Sequence, residues 1–408
     1  MTTLDLKFVR SHFPAFDESS LKGWSFFENA GGSYACNQVI ERLNSYYRKT
    51  KLQPYHPFPA SEQAGREMDD AMVNLAAYLN VSENEIDLGP STSQNTYVLA
   101  QAFRSTMQAG DEIIVTNQDH EANSGAWRRL ADSGIIVREW RVDPETGYLD
   151  LAGLDDLLND KTRLVTFPHC SNIIAHVNPV AEISAKVHAV GAKVVVDGVS
   201  YAGHGFPDVD ALGADVYLFS LYKTYGPHQG LMIVRKDTRE VLGYQGHFFN
   251  KDLAHKRLIP AGPDHAQVAA SSGITEYFDA VHAHHFGAQS DATKRGHDIH
   301  DLFQAHEQAL MAPLLEYIRG RNDIRLLGPD NPEERAPTIS MITKRDGRSV
   351  AEDLSKQGIM AAGGHFYSYR LFEGLNLDPE AGALRVSFVH YTSPEDIEKL
   401  LKAMDAVL

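Results

Sequence analysis

The chain has 408 residues, 43% hydrophobic and 23% charged, which suits a soluble globular protein of two domains or one large domain with a smaller companion. Its formal net charge of −16 argues against a nucleic-acid or anionic-membrane surface, since both call for clustered cations. Two cysteines, Cys36 and Cys170, are too few for a disulfide framework or a Cys-rich zinc site. No run approaches the roughly 18 apolar residues of a membrane span, and the first residues lack an apolar leader, so the expected compartment is the cytoplasm.

The middle of the chain alternates strand and helix signals. Strands are predicted at Glu112–Thr116, Ile135–Trp140, Leu164–Phe167, Lys193–Asp197, Val216–Phe219 and Gly230–Val234. Helices are predicted between them, at Gln94–Met107, Ala122–Ser133, Leu151–Asn159 and Val180–Val190. That alternation predicts an α/β fold, a mainly parallel sheet flanked by helices, with ligands beyond the carboxyl ends of the strands. After about residue 255 the pattern changes. Pro260-Ala-Gly-Pro-Asp264 breaks the chain, a long helical run extends from Ala266 to Ile318, and Thr338 to Leu408 reads as a smaller α+β domain. The expected division is 1–25 as a segment packing with the small domain, 26–260 as the large domain, and 261–408 as connecting helix and small domain. Ser393-Pro-Glu-Asp396 predicts a helix start, with a Ser cap, Pro at the first helical position and acids in the first turn.

Lys223 lies in a polar turn between two apolar strands, and Asp197 ends an earlier strand. Burial lowers an amine's pKa and makes it a nucleophile near neutral pH. A strand-end carboxylate followed by Ser-x-x-Lys is the arrangement that pyridoxal phosphate needs. The lysine holds the aldehyde carbon and the carboxylate keeps the pyridine nitrogen protonated. Taken singly, Lys223 reads equally well as a solvated loop lysine and Asp197 as a cap.

Other segments fit the same chemistry. Gly89-Pro-Ser-Thr-Ser-Gln-Asn-Thr96 places hydroxyls at a helix start, a phosphate-binding arrangement when it is not a plain cap. His120, in Asp119-His-Glu-Ala-Asn123, follows a strand and is placed to lie on an aromatic ring. Asn172 ends another strand, and Cys170 beside it reads as a buried, inert thiol. Arg385 sits on an apolar strand, where a guanidinium wants either a substrate carboxylate or a protein acid. His282, His284 and His285 read as solvated helix rather than a metal site, and no metal is expected.

The segments Phe26-Phe-Glu-Asn-Ala-Gly-Gly32, Asp119-His120, Ser171-Asn172, Asp197, Ser220-Leu-Tyr-Lys-Thr-Tyr-Gly-Pro227 and Leu384-Arg-Val-Ser387 together resemble a family. The chain looks like a class V aminotransferase, a fold-type I pyridoxal phosphate enzyme, in the branch of cysteine desulfurases and isopenicillin N epimerase. The resemblance spans nearly the whole length. It implies a seven-stranded sheet and a homodimer with active sites at the subunit interface. It also implies that Lys223 forms the Schiff base and shuttles protons, Asp197 pairs with the ring nitrogen and His120 stacks on the ring. Thr92, Ser93, Ser220 and Tyr222 would hold the phosphate, Asn172 would reach the ring oxygen, and Arg385 would clamp the substrate carboxylate with backbone near Ala30 and Gly31.

Three positions depart from the family pattern. Gly363-Gly-His-Phe-Tyr-Ser-Tyr-Arg370 has Phe366 where desulfurases carry a nucleophilic cysteine. Ser200 stands where a family glutamine contacts the ring oxygen, and Gly262 where the partner subunit would offer a phosphate-binding threonine. The resulting expectation is action at the α-carbon of a small amino acid, aminotransferase-type. A cysteine-independent Cβ–S lyase and an epimerase are the alternatives. His365 and Arg370, among Phe366, Tyr367 and Tyr369, predict a partly apolar pocket that accepts an anionic group.

Overall fold

The computed structural model describes residues 2–287 and 290–408. A seven-stranded sheet forms its centre, with spatial order Ile86–Gly89, Gly230–Val234, Val216–Ser220, Lys193–Asp197, Thr162–Pro168, Glu112–Thr116 and Ile136–Trp140. The last five run parallel to one another, and Gly230–Val234 pairs antiparallel with both of its neighbours. Val194, Val195 and Val196 are wholly buried because helices cover both faces of the sheet, which is why the inner strands read as continuous apolar runs. Each such side chain contributes about 1.5–3 kcal/mol on burial. A Val195→Asp change would bury an unpaired charge in their midst.

The predicted strands stand within a residue or three of their observed ends. The edge strand Ile86–Gly89 and two helices, Asn37–Lys49 and Pro59–Leu79, lie outside the elements read from sequence. The helical run from Ala266 is two helices, His265–Phe286 and Ala292–Arg319. Gly287 caps the first at φ +67°, a left-handed conformation that glycine adopts freely. His265–Phe286 lies against Asn37–Lys49 and Pro59–Leu79, and buries Ile274, Tyr277 and Phe278 in the large core. His282 is a correction: it is buried, 3% exposed, and its Nε2 meets Asp298 at 3.2 Å, so only His284 and His285 fit a solvated face.

A second core gathers Phe27, Leu310, Leu314, Ile339, Val350, Val386 and Leu400. Its four-stranded sheet runs Ala362–Gly364, Ala383–Ser387, Thr338–Ile342 and Arg325–Leu326, all antiparallel. The helix Pro394–Val407 starts as expected: Ser393 Oγ accepts from the Asp396 N–H at 3.2 Å. Ser25–Phe26 pairs with Ile359–Met360, so the chain enters along this smaller unit before it builds the larger one. The N-terminal helix Leu6–Ser11 touches both units, through Phe8 stacked on His284 and Arg10 paired with Asp396.

Candidate active site

The carboxyl ends of the sheet strands open into a cavity of about 180 Å³, room for one substituted ring and too small for a dinucleotide. Its walls include Thr92, Ser93, His120, Asn172, Asp197, Ser200, Ser220, Tyr222 and Lys223. Nine residues selected from sequence, spread over 132 positions, thus meet in one place.

Lys223 closes a single 3₁₀ turn, Leu221–Lys223, between two antiparallel strands. Tyr225, two residues on, holds φ +67°, a strained conformation for a bulky residue. The surroundings hold it there: its ring is buried edge-on to Phe13, Tyr277 and His390, and its hydroxyl donates to the Gly203 carbonyl. Ser33 Oγ accepts from the Tyr225 N–H at 2.8 Å. The lysine therefore stands on a rigid support. Burial and the nearby Arg385 charge lower its pKa to about 8, against the opposing pull of Asp197 and Glu28.

Asp197 ends the strand Lys193–Asp197 and is buried. Its Oδ1 accepts from the Val199 N–H at 2.9 Å. Burial raises its pKa to about 6, so a cationic partner in the cavity would draw it back to the charged form. His120 caps the helix Glu121–Arg128, with Nδ1 accepting from the Ala122 N–H at 3.0 Å. That bond places the ring proton on Nε2. Burial and the Lys223 and Arg385 charges push the imidazole's pKa down to about 3, so it is neutral throughout the physiological range. A neutral flat ring suits stacking and does not serve as a base.

One end of the cavity is a helix N-terminus. Ser91 caps Thr92–Arg104, and Thr92 Oγ1 and Ser220 Oγ stand 2.6 Å apart. Gly230 makes this approach possible: a Cβ there would fall 2.3 Å from the Thr92 nitrogen. Tyr222 and His228 stack at 4.7 Å along the rim. Free backbone N–H groups, hydroxyls and a helix dipole together form an anion cradle.

The substrate side departs from expectation. Arg385 is 4% exposed and its Nη2 donates to Glu28 Oε1 at 2.6 Å, the protein-acid pairing. Its Nη1 donates to the Asn172 carbonyl at 3.2 Å, and the Phe366 ring covers it at 3.7 Å. Backbone at Ala30 and Gly31 is not free for a carboxylate: Ala30 N–H donates to Ser387 Oγ at 2.8 Å and Gly31 N–H to the Glu28 carbonyl at 3.0 Å. Asn172 gives one amide proton to the Phe366 carbonyl at 3.0 Å and accepts from Ser368 Oγ at 2.7 Å, leaving one proton for a ring oxygen. Arg370 meets Glu121 at 3.3 Å on the surface, outside the cavity walls, so it is no bare anion receptor. His365 stands beside Tyr369 at 5.5 Å, also outside those walls. Gly262 is exposed and is not among the residues lining the cavity of its own chain. Phe366 and Tyr367, at φ +49° and +60°, form a tight left-handed corner tied to Asn172 and to the Glu121 N–H.

Three residues were missed in sequence. Glu28 lay unremarked inside a quoted segment, though an acid in a turn of small residues is a signal. His228 gave none. Asp119, buried beneath His120 with Thr116 Oγ1 and Asn123 Nδ2 donating to it, has its pKa pushed by burial to about 8. Cys170 fits its reading: it is buried, and its thiol is pushed up to about 12.

A lowered amine, a strand-end carboxylate, a neutral flat imidazole and an anion cradle around a single-ring cavity define a pyridoxal-phosphate-dependent enzyme. The residues fit that group without rearrangement of the sheet. Bound there, pyridoxal phosphate supplies an electron sink for a bond broken at the substrate's α-carbon. The chain belongs to the family described as "Aminotransferase class-V", which it matches over residues 25–265 and 291–400. It is 34% identical to "Aminotransferase-like protein FGM3" of Gibberella zeae, across 100% of this chain and 99% of that one. It is 28% identical to "Cysteine desulfurase" of Serratia proteamaculans, across 98% and 97%. The fold is shared with the apo cysteine desulfurase of Thermococcus onnurineus, TM-score 0.85 at 22% identity over 100% of this chain and 99% of that one.

Proposed function

We propose that this enzyme works at the α-carbon of a small amino acid as an aminotransferase, with Lys223 as the base that both removes and returns the proton. The carrying observation is that Lys223 is the one amine among the described residues lining the cavity, while His228 lies stacked on the Tyr222 ring. Lys223 has a pKa lowered to about 8. His120 is held neutral and spends Nδ1 on a backbone bond, while Asp197 is buried against the Val199 N–H. Moving a proton within one face needs one amine, whereas epimerisation needs a second group on the opposite face. A persulfide route needs an accessible thiolate, and both cysteines are buried with thiols pushed up to about 12. In this reading Thr92, Ser93, Ser220 and Tyr222 hold the phosphate and Asp197 the ring nitrogen. Asn172 serves the ring oxygen with its remaining proton, and Arg385 takes the carboxylate. The chain pairs with a second copy that brings Gly262 to the phosphate.

The test is to mix the holoenzyme with a panel of L-amino acids, including alanine, cysteine and cystine, without any keto acid. Stoichiometric conversion to the pyridoxamine form with one amino acid supports the reading and names the donor. Continuous release of pyruvate and ammonia from a sulfur amino acid makes the enzyme a lyase instead. Loss of optical activity without either product makes it an epimerase.

A further inference from the structure

Arg385 is only half satisfied. Its Nε and Nη2 form one edge of the guanidinium, the edge that grips a carboxylate with two parallel bonds. Glu28 takes Nη2 alone, at 2.6 Å, while Nε is buried without an acceptor. The two partners differ in exposure: the Arg385 side chain is 4% exposed and that of Glu28 is 28%. Glu28 is anchored by its backbone, which bridges Ser387 on the strand Ala383–Ser387 that carries Arg385. Its carboxylate folds back over Gly31, where a Cβ would fall 1.8 Å from Oε2. Only glycine there gives the acid its seat.

We propose that Glu28 is a tethered competitor for the substrate carboxylate and thereby sets how far the enzyme prefers an amino acid to the corresponding amine. This rests on Arg385 being the carboxylate clamp. A substrate carboxylate on the Nε–Nη2 edge satisfies the buried Nε and needs the position that Glu28 Oε1 occupies. Glu28 is the group that leaves, because it already faces solvent and Arg385 does not. An amine without a carboxylate displaces nothing. The incoming carboxylate gains one charge-assisted hydrogen bond over the one it displaces, but it competes with a group held permanently at hand. Phe366 caps the guanidinium face at 3.7 Å and the Asn172 carbonyl takes Nη1 at 3.2 Å, which leaves the Nε–Nη2 edge for the exchange.

The test titrates the holoenzyme with propionate by calorimetry, and with L-alanine and ethylamine by the change in cofactor absorbance. In Glu28→Gln, propionate and L-alanine are expected to bind at least about tenfold more tightly, the value of one charge-assisted hydrogen bond, with ethylamine unchanged. Glu28→Asp keeps the charge, shortens the reach and should fall between. Equal affinities in wild type and Glu28→Gln, or weaker propionate binding, would overturn the proposal. Arg385→Gln separates the two layers. If it leaves propionate binding intact, the clamp itself is misassigned. If it abolishes propionate binding while Glu28→Gln changes nothing, the clamp stands and the competitor falls. Circular dichroism and melting of each variant confirm that the fold is kept.

Discussion

The wall that carries Asp197 and Lys223 rests on adjacent strands of one sheet, while a second wall, joined to the cavity through Asn172, is assembled from Glu28, Arg385 and the corner at Phe366, drawn from segments more than 300 residues apart. The first wall is held from behind. Tyr225 keeps a strained backbone in place by burying its ring among five aromatic neighbours, so Lys223 has little freedom to move. The second wall is held by its own charges. Arg385 pairs with Glu28 and Arg370 with Glu121, and both acids are at least partly exposed. Packing fixes the first wall, and in the reading proposed above exchangeable ion pairs form the substrate side. Variants of the first wall should therefore lose chemistry, and variants of the second should change affinity and selectivity.

The largest effect belongs to Lys223→Ala. Removing the amine that moves the proton should lower turnover by about 10²–10⁴-fold or more while the cradle still retains some cofactor. Rate and bound cofactor, measured on the same sample, check this; substantial remaining turnover would mean that the rigid wall is not where the proton moves. Asp197→Asn should follow. The loss of one hydrogen bond to a charged partner is about 1.5–3 kcal/mol, roughly 10–100-fold in kcat/KM. On the other wall, Phe366→Ala uncovers the Arg385 guanidinium. A cation–π contact of about 0.5–2 kcal/mol should appear as a rise of roughly 2–30-fold in KM with kcat held. A fall in kcat of equal size would erase the distinction between the walls. The pH dependence of cofactor uptake sharpens the first wall further. Lys223 must lose its proton to attack an aldehyde, so covalent uptake by the cofactor-free protein should rise through pH about 8 and level off above it.

How legible each wall was in sequence follows from how it is made. The first wall announces itself because Val194-Val-Val-Asp197 and Ser220-Leu-Tyr-Lys223 put buried strands and their functional ends next to each other along the chain. The second could be read only as separate candidates. Nothing in Leu384-Arg-Val-Ser387 tells which acid Arg385 will meet, since its partner lies at residue 28, and the choice between substrate and protein acid stayed open until Glu28 was seen at 2.6 Å. Arg370 misled for the same reason, its charge being spent on Glu121. The helices Asn37–Lys49 and Pro59–Leu79 escaped because their apolar faces make sense only against His265–Phe286, far along the chain.

Asp119 lies behind His120 on the first wall and offers the smallest test of its packing. Its carboxyl is buried, accepts from Thr116 and Asn123, and titrates at about 8 against an ordinary value of 3.8. The raised folded value means that the unfolded chain gives up this proton at lower pH than the folded one does. The group's contribution to stability is therefore complete below about pH 3.8 and is lost progressively as pH rises to about 8. Asp119→Asn keeps the shape and both polar atoms but cannot ionise. Urea midpoints of the cofactor-free protein across that window should fall more steeply with pH in the wild type than in the variant, so that the two curves converge toward acid. Parallel curves would place Asp119 in a wetter setting than its contacts describe, and would weaken the view that this wall is fixed by dry packing.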